Sequence, residues 1–325
     1  MTEPRQRRPG SVRISVTDRC QLRCTYCMPP GGIPVRPHED ILSFEEIVRF
    51  VRELQSGFDL RKVRITGGEP LVRRGIVNLV AMLAGLHLRD LALTTNGQRL
   101  PEMAADLKRA GLHRVNVSLD SVSPAVYRSL TRGGDLEKTL NGIQEAIRVG
   151  LAPVKTNTVV VRGVNDGELP AIVRFALENG CHARFLELMP IGPARTDFAE
   201  RFVPAAEVRA KIEASFQLTP IRGAGAGASS RDFMAEDGSG RRGTVGFIES
   251  ESRPFCSGCT RLRLTSTGEL VTCLARQESV SIREVLRVDS REAGNELRRL
   301  VAAALGGKSH RAAFASGRLM AAVGG

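Results

Sequence analysis

Residues 12–27 read VRISVTDRCQLRCTYC, a short β-rich run followed at once by three cysteines. The run from 12 to 17 predicts a strand, and Cys20, Cys24 and Cys27 follow on the loop behind it. A structural zinc site needs four ligands, and the nearest further candidate is His38. Three cysteines on a four-iron cluster would instead leave one iron open to a substrate. The residues alone favour such a cluster and leave a zinc or redox-thiol site as the alternative.

Strand and helix patterns alternate up to residue 190. Such alternation predicts parallel strands joined by right-handed crossovers, in either an open sheet or a barrel. No dinucleotide-binding fingerprint follows the first strand. Polar, glycine and other candidate site residues come at or just after the strand ends, where a barrel builds its site: Asp18, Gly67, Thr95, Asp120, Arg162 and Met189. The predicted strands are 12–17, 63–66, 91–95, 115–119, 154–161 and 183–188, with helices at 43–55, 74–84, 102–110, 136–149 and 168–179 and a further helix from Ser123.

The rhythm changes after residue 190. The stretch 191–240 predicts loops with one helix near 205–215, residues 223–227 predict a flexible loop, and 282–305 predict a helix. We therefore expect two parts: residues 1–190 as a partial barrel and 191–325 as a C-terminal region.

The net charge of +12, from 47 basic and 35 acidic residues, suggests an anionic partner or simply a basic surface. The absence of Trp and the presence of only two Tyr leave few stacking platforms for single-stranded nucleic acid. Residues 1–10 lack the apolar core of a secretion signal, and no apolar run reaches the 18 or so residues of a membrane helix. The sequence thus predicts a cytoplasmic protein without membrane contact.

Seven cysteines occur, an odd number that argues against a disulfide framework. Cys181 stands alone and is expected to be a small buried hydrophobe. The second triplet is Cys256, Cys259 and Cys273. The favoured interpretation is again a cluster with one open iron. Zinc with His310 or an acidic residue as fourth ligand, and a closed cluster completed by Cys181, stay open as alternatives.

The tetrapeptide from Gly67 to Pro70 follows the second predicted strand. Its two glycines allow close backbone approach. The Glu69 carboxylate and exposed carbonyls could accept hydrogen bonds from an ammonium group.

The first triplet, with Tyr26 between its last two cysteines, resembles the signature of the radical SAM superfamily, and Gly67–Pro70 resembles the segment that contacts the amino group of S-adenosylmethionine (SAM) there. The resemblance implies an incomplete (β/α)6 TIM-type barrel in an α/β fold. With both triplets present, the chain resembles the GTP 3′,8-cyclases of molybdenum cofactor biosynthesis from about Val12 to the final Gly-Gly. The matching segments are 13–20, 64–70, 94–97, 116–120, 187–190 and 259–263.

This resemblance implies two [4Fe-4S] clusters, one binding SAM and one binding the guanine of GTP. The implied reaction splits SAM and uses the resulting radical to cyclise GTP to 3′,8-cyclo-7,8-dihydro-GTP. The implied SAM positions are Tyr26, Gly68, Ser118 and Met189, and the implied substrate positions are Arg13, Arg64, Thr94, Lys155, Arg261, Leu262 and Arg263. On a strand, Arg261 and Arg263 would point the same way, and Leu262 would offer only its backbone. The tail, Gly324 and Gly325, is implied to reach the active site and to be needed for turnover.

The implied partners are GTP and an unidentified reductant. A homodimer and docking of the next enzyme, cyclic pyranopterin monophosphate synthase, are left open, and no nucleic acid is expected. Two rival functions are a radical SAM enzyme that modifies peptides and carries an auxiliary cluster, and a zinc-containing RNA-binding protein suggested by the charge.

Overall fold

The computed structural model describes residues 9–34, 36–221, 229–306, 308, 314 and 317–324. In this part of the chain twelve strands form one sheet in the order β12-β11-β10-β1-β2-β3-β4-β5-β6-β9-β8-β7. The strands are β1 Ser11–Ser15, β2 Lys62–Thr66, β3 Asp90–Thr95, β4 Arg114–Ser118, β5 Lys155–Val160, β6 His182–Glu187, β7 Gln217–Pro220, β8 Arg231–Glu236, β9 Arg242–Ile248, β10 Arg261–Leu264, β11 Glu269–Val271 and β12 Val280–Ser281.

The helices of the described residues follow the strands in chain order. They are α1 Phe44–Gly57, α2 Ile76–Ala84, α3 Leu100–Arg109, α4 Pro124–Thr131, α5 Leu136–Arg148, α6 Leu169–Glu178, α7 Phe198–Arg201, α8 Ala205–Glu213, α9 Arg283–Arg287, α10 Arg291–Gly306 and α11 Met320–Val323. The predicted capping box at the start of α1 is present: Ser43 Oγ accepts from the Glu46 amide at 3.1 Å, and Glu46 accepts from the Ser43 amide at 2.6 Å. None of these helices is long and apolar enough to cross a membrane.

Eight neighbouring strands, from β10 through β1–β6 to β9, run parallel. With helices on its outer face this sheet forms an incomplete barrel, which confirms the predicted fold class. The six predicted strands are all present in order. The C-terminal region adds β9 beside β6 and β10 beside β1, so it extends the barrel at both edges. The boundary at residue 190 stays a prediction.

The two faces of the strands differ in chemistry. On β1, Val12 and Ile14 are at most 1% exposed and pack in the hydrophobic core. The residue between them, Arg13, has the opposite orientation because side chains alternate along a strand. The same alternation places Arg64 on the inner face of β2 and Arg263 on the inner face of β10. The outer face of the sheet is therefore apolar and the inner face is basic.

Two of the sequence expectations after residue 190 are wrong. The stretch 191–240 holds the strands β7 and β8 and the short helix α7 in addition to α8, because β8 pairs with β9 as an antiparallel hairpin across the turn at 237–241. The glycines and serines of this stretch hid the hairpin. The helix expected over 282–305 is two helices, α9 and α10. The loop expected at 223–227 lies outside the described residues.

The connection between β9 and β10 has a special path. Strand β9 lies at one edge of the parallel strands and β10 at the other. Residues 249–260 must therefore cross the open side of the barrel, from the carboxyl end of β9 to the amino end of β10. Cys256 and Cys259 lie near the end of this crossing.

Candidate active site

The first cysteine triplet lies on the loop that leaves the carboxyl end of β1. Its three thiols are free. Backbone hydrogen bonds fix the loop: the Cys27 amide donates to the Cys24 carbonyl at 2.9 Å, and the Thr25 amide donates to the Leu130 carbonyl at 2.9 Å. Asn96 Nδ2 lies 3.7 Å from Cys20 Sγ. The loop is thus preformed by contacts with α4 and with the end of β3.

Carboxylates surround this first triplet. Tyr26 donates its hydroxyl proton to Asp120 Oδ2 at 2.6 Å, and the Val159 amide donates to Asp120 Oδ1 at 2.9 Å. Burial raises the pKa of Asp120 to about 6. Burial also raises the pKa of Cys20 to about 11 and that of Cys27 to about 12, with Glu69 adding to the first and Asp120 to the second.

The two glycines of the Gly67–Pro70 segment are required by close packing. A Cβ on Gly68 would lie 2.4 Å from the carbonyl oxygen of Arg19, and a Cβ on Gly67 would lie 2.6 Å from that of Thr17. The Gly68 and Glu69 amides donate to the Thr17 and Arg19 carbonyls at 2.7 and 2.8 Å. The segment is therefore laced to the loop that carries Cys20.

The carboxylate of Glu69 does not have the role suggested by its sequence context. Glu69 is buried, and its oxygens accept from the Leu71 amide, the Thr95 hydroxyl and the Asn96 amide at 2.7 to 3.0 Å. Burial raises its pKa to about 7. This carboxylate positions Asn96 beside Cys20 and is not directed at an ammonium group.

The four expected SAM positions lie at the carboxyl ends of strands or just beyond them. Tyr26 is part of the first triplet loop, and Gly68 is packed against it. Ser118 ends β4, beside Asn157 of β5. Met189 follows β6 and lines a cavity that reaches the second triplet.

That cavity has a volume of about 630 Å³. Its lining combines all three cysteines of the second triplet with three of the expected substrate residues: Cys256, Cys259, Cys273, Arg13, Arg261 and Arg263. Leu262, between the two arginines of β10, is fully buried on the opposite face. The Arg261 guanidinium lies 4.3 Å from the ring centroid of Phe255, which fixes its direction.

Cations surround the second triplet. Lys308 Nζ donates to Cys259 Sγ at 3.2 Å and to the Arg261 carbonyl at 2.8 Å. Burial by itself would raise the pKa of the Cys259 thiol, but Arg261 and Lys308 lower that pKa to about 6. These thiols are also free. The second triplet thus sits in a basic setting.

A ladder of arginines crosses three neighbouring strands. In the strand register Arg263 pairs with Arg13, and Arg13 pairs with Arg64. Burial lowers the pKa of Arg13 well below its usual value, and repulsion from Arg263 and Arg64 lowers it further. Burial and neighbouring arginines lower the pKa of Arg64 and of Arg263 to about 9. Such repulsion is relieved when a polyanion binds between the arginines.

The sequence interpretation missed Arg184, Asn116 and Asn157. Arg184 on β6 is buried, and its Nη2 donates to Asn116 Oδ1 at 2.8 Å. Asn157 is paired with Arg184 in the register of β5 and β6. The signal was available: Arg184 stands between the core residues Ala183 and Phe185, as Arg13 stands between Val12 and Ile14.

Several buried polar atoms on these strands have no hydrogen-bond partner within the described residues. They are Arg64 Nε, Arg184 Nε, Thr156 Oγ1 and Asn157 Oδ1. Burial and the charges of Arg184 and Arg114 lower the pKa of Lys155 to about 8. Thr94 accepts from Asn116 Nδ2 at 3.3 Å. Unpaired donors beside uncompensated cations fit the oxygens of an anionic ligand.

The C-terminal tail joins the two regions. The Ala321 backbone hydrogen-bonds to the Cys27 thiol, and Arg263 donates to the buried carbonyl of Gly324. A Cβ on Gly324 would lie 2.5 Å from Thr66 Cγ2, and its φ of +73° is one that glycine adopts readily. Gly324 thus lies at the barrel interior, whereas Gly325 is outside the described residues.

Glu187, at the end of β6, anchors the connection that carries Cys256 and Cys259. Its carboxylate accepts from the amides of Glu251 and Ser252 at 2.8 and 2.9 Å, and from that of Ala205 at 2.9 Å. Residues 249–260 therefore start their crossing from a fixed point.

The alternatives for the second triplet can be placed only in part. Cys181 is 1% exposed and packs in the hydrophobic core, as expected. His310 lies outside the described residues. Within the described ranges no three His, Cys, Asp or Glu side chains converge on a point where one metal ion would sit. In a four-iron cluster each thiolate binds a different iron, so such convergence is not required.

Two family models match the chain: the Radical SAM superfamily over residues 14–176 and Molybdenum Cofactor Synthesis C over residues 181–314. The GTP 3′,8-cyclase of Petrotoga mobilis is 45% identical over 84% of this chain and 83% of its own length. That of Desulforamulus reducens is 42% identical over 97% of both. Among solved structures, SuiB of Streptococcus suis bound to S-adenosylmethionine has a TM-score of 0.61 at 16% identity, covering 90% of this chain and 68% of its own. That likeness shows the fold alone.

Proposed function

Because this chain belongs to the GTP 3′,8-cyclase family of the radical SAM superfamily, we propose that it converts GTP to 3′,8-cyclo-7,8-dihydro-GTP, the first step of molybdenum cofactor biosynthesis. The observation that carries this proposal is the cavity in which the second triplet meets Arg13, Arg261 and Arg263. A nucleoside triphosphate has about four negative charges, and arginine forks match phosphate oxygens.

The first triplet fits a [4Fe-4S] cluster with one iron left open for SAM. Its three free thiols are held on a preformed loop, and Cys20 and Cys27 each have a nearby nitrogen donor, from Asn96 and from the Ala321 backbone. Hydrogen bonds of this kind tune a cluster and orient its ligands. When bound, the cluster and SAM supply a 5′-deoxyadenosyl radical that takes the hydrogen from C3′ of GTP. Tyr26, Gly68, Ser118 and Met189 would line the SAM side.

The second triplet would hold a second [4Fe-4S] cluster, whose open iron faces the guanine. Its donor set is again three free thiols, here beside Lys308 and Arg261. On the substrate side, Arg13, Arg64, Thr94, Lys155, Arg261, the Leu262 backbone and Arg263 would bind GTP. Arg184 is close enough in the strand register to join them.

The protein's own contribution is to position two ligands and to exclude water. The first triplet follows the carboxyl end of β1, and Cys259 precedes β10 at the amino end of the same strands. Four residues of strand separate these ends by roughly 13 Å, a span that a nucleotide can bridge. The Gly324–Gly325 tail would close the space between them, which protects a reactive radical.

We extend the proposal to the domain division at residue 190, with the barrel part serving SAM and the C-terminal part serving GTP, and to a cytoplasmic location. The homodimer and the docking of the next enzyme stay predictions.

The test is anaerobic incubation of cluster-loaded protein with SAM, GTP and dithionite, followed by mass spectrometry. We expect 5′-deoxyadenosine and an isomer of GTP in equal amounts. Deuterium placed at C3′ of GTP should appear in the 5′-deoxyadenosine. Formation of 5′-deoxyadenosine that depends on a peptide and not on GTP would instead favour the peptide-modifying alternative.

A further inference from the structure

Four exposed arginines surround the first triplet loop, and we call them the basic collar: Arg19, Arg23, Arg128 and Arg132. Arg19 precedes Cys20 directly, and Arg23 precedes Cys24 directly. The Arg23 amide donates to the Thr131 carbonyl at 3.1 Å, and Arg132 donates to the Arg23 and Met28 carbonyls at 3.1 and 3.0 Å. These contacts bring the end of α4, with Arg128 and Arg132, to the edge of the loop.

The collar differs from most of the exposed surface in its charge balance. Arg148 and Arg162 are typical of the rest, and each is paired with a glutamate at 2.6 to 2.7 Å. Within the described part of the chain, the four collar arginines have no such carboxylate partner. Their positive charge is therefore available to a molecule that approaches the loop from solvent.

A hollow of about 380 Å³ lies beside the collar. Thr25 and Arg132 line it, together with Val164, whose side chain is 40% exposed. Thr25 is the immediate neighbour of Cys24, so a protein seated in this hollow would lie next to the first cluster. Arg201 fixes Thr25 by donating to its hydroxyl at 3.2 Å.

We propose that the basic collar and this hollow form the docking surface for a small acidic electron-carrier protein of the flavodoxin or ferredoxin class. The inference rests on the proposed function, since cleavage of SAM consumes one electron per event. The carrier loses that electron, and the cluster next to Thr25 gains it. Charge complementarity steers such encounters, and electron-transfer contacts are typically small.

An RNA is the other polyanion that a basic surface could attract. No aromatic side chain is among the large exposed hydrophobic residues that the structure describes. The collar therefore lacks the stacking platforms on which single-stranded nucleic acid relies, which favours the acidic protein.

The test uses the cluster-loaded protein, oxidised flavodoxin as the probe, and titration calorimetry. The test variant is Arg23→Glu/Arg128→Glu, which leaves the structural contacts of Arg132 in place. The matched control is Arg52→Glu/Arg89→Glu, since these two arginines are also exposed and without an ion pair in the described residues. We expect wild type and control to bind flavodoxin alike, and the test variant to bind at least about tenfold more weakly at low salt. Raising the salt from about 50 to about 300 mM should weaken wild-type binding, because screening shortens the Debye length.

Turnover with two reductants separates this inference from the proposed function. With dithionite, which needs no docking surface, the test variant should form 5′-deoxyadenosine at the wild-type rate. With reduced flavodoxin its rate should fall by about the same factor as its affinity. Equal flavodoxin affinity in wild type and test variant would overturn the inference, as would a collar-dependent affinity for single-stranded RNA in the absence of flavodoxin binding. Absence of GTP-dependent chemistry in wild type with dithionite would instead overturn the proposed function.

Discussion

The two cysteine triplets present the same three thiols in opposite electrostatic surroundings. Around the first triplet, burial and the carboxylates Glu69 and Asp120 raise the thiol pKa values, to about 11 for Cys20 and about 12 for Cys27. Around the second, Arg261 and Lys308 overcome the effect of burial and lower the pKa of Cys259 to about 6.

The difference matches the charges of the two proposed ligands. SAM carries a sulfonium and an ammonium group, so acidic surroundings favour it. GTP carries a triphosphate, so the arginine ladder and Lys308 favour it. One barrel thus separates a cation site at the carboxyl ends of its strands from an anion site at their amino ends. The tail with Gly324 contacts both.

Removal of a thiol from the first triplet should have the largest effect. We expect Cys24→Ala to abolish SAM cleavage, because two thiolates would not hold the open cluster securely. The measurement is 5′-deoxyadenosine formation by anaerobically reconstituted protein. Cys181→Ala is the control, since this buried thiol belongs to neither triplet. Undiminished 5′-deoxyadenosine from the Cys24 variant would remove the first triplet from the mechanism.

Removal of the second triplet should separate the two sites. Wild type should hold about eight irons, and the triple variant Cys256→Ala/Cys259→Ala/Cys273→Ala about four. The variant should still bind SAM, whereas GTP binding should weaken and cyclisation should fail. Elemental analysis with equilibrium binding provides the readout. About four irons and one zinc in wild type would instead show a zinc site.

Single arginines of the anion site should have smaller effects. We expect Arg261→Ala and Arg263→Ala each to weaken GTP binding by about 1.5–3 kcal/mol, the cost of a charge-assisted hydrogen bond, with SAM binding little changed. Arg263→Ala should also slow turnover more than Arg261→Ala, because Arg263 holds the Gly324 carbonyl. Arg52→Ala, on the outer helix α1, serves as the control. Equal GTP affinity in all four proteins would show that the ladder does not bind the substrate.

The smallest effect concerns pH. The pKa of Lys155 in the free protein is lowered to about 8, so its positive charge is present below pH 8 and lost as the pH rises through that value. GTP favours the charged form, and its affinity should fall by about fivefold to tenfold between pH 7 and pH 9. Lys155→Arg should flatten the profile over this range, because arginine keeps its charge. A pH-independent affinity in wild type would place Lys155 away from the phosphates.

The barrel could be predicted because its evidence is local. Each of the six strands has its own β-rich run, and the first is followed directly by the triplet that identifies the superfamily. The C-terminal strands could not be predicted in the same way. Strands β8 and β9 surround a Gly- and Ser-rich turn, and β10 has only four residues, so they become strands by pairing with each other, with β6 and with β1.

The candidate site divides along the same line. Spacing within one segment identified both triplets and the Gly67–Pro70 turn. The role of Glu69 was misjudged because its three hydrogen-bond partners come from residues 71, 95 and 96, whose approach no local pattern reports. Arg184 was missed because its importance depends on Asn116 and Asn157 of two other strands.

The sequence by itself therefore determined the ligand types: two sets of three thiols, a glycine-rich turn, and an excess of arginine on alternating strand positions. The tertiary structure alone decided the distribution of charge among them. The fold places Asp120 and Glu69 at the carboxyl end of the strands, and gathers Arg13, Arg64 and Arg263 into one ladder beside the second triplet. The physical reason is that a pKa or a binding preference depends on groups a few ångströms away in space, and strand pairing, not chain order, sets those distances.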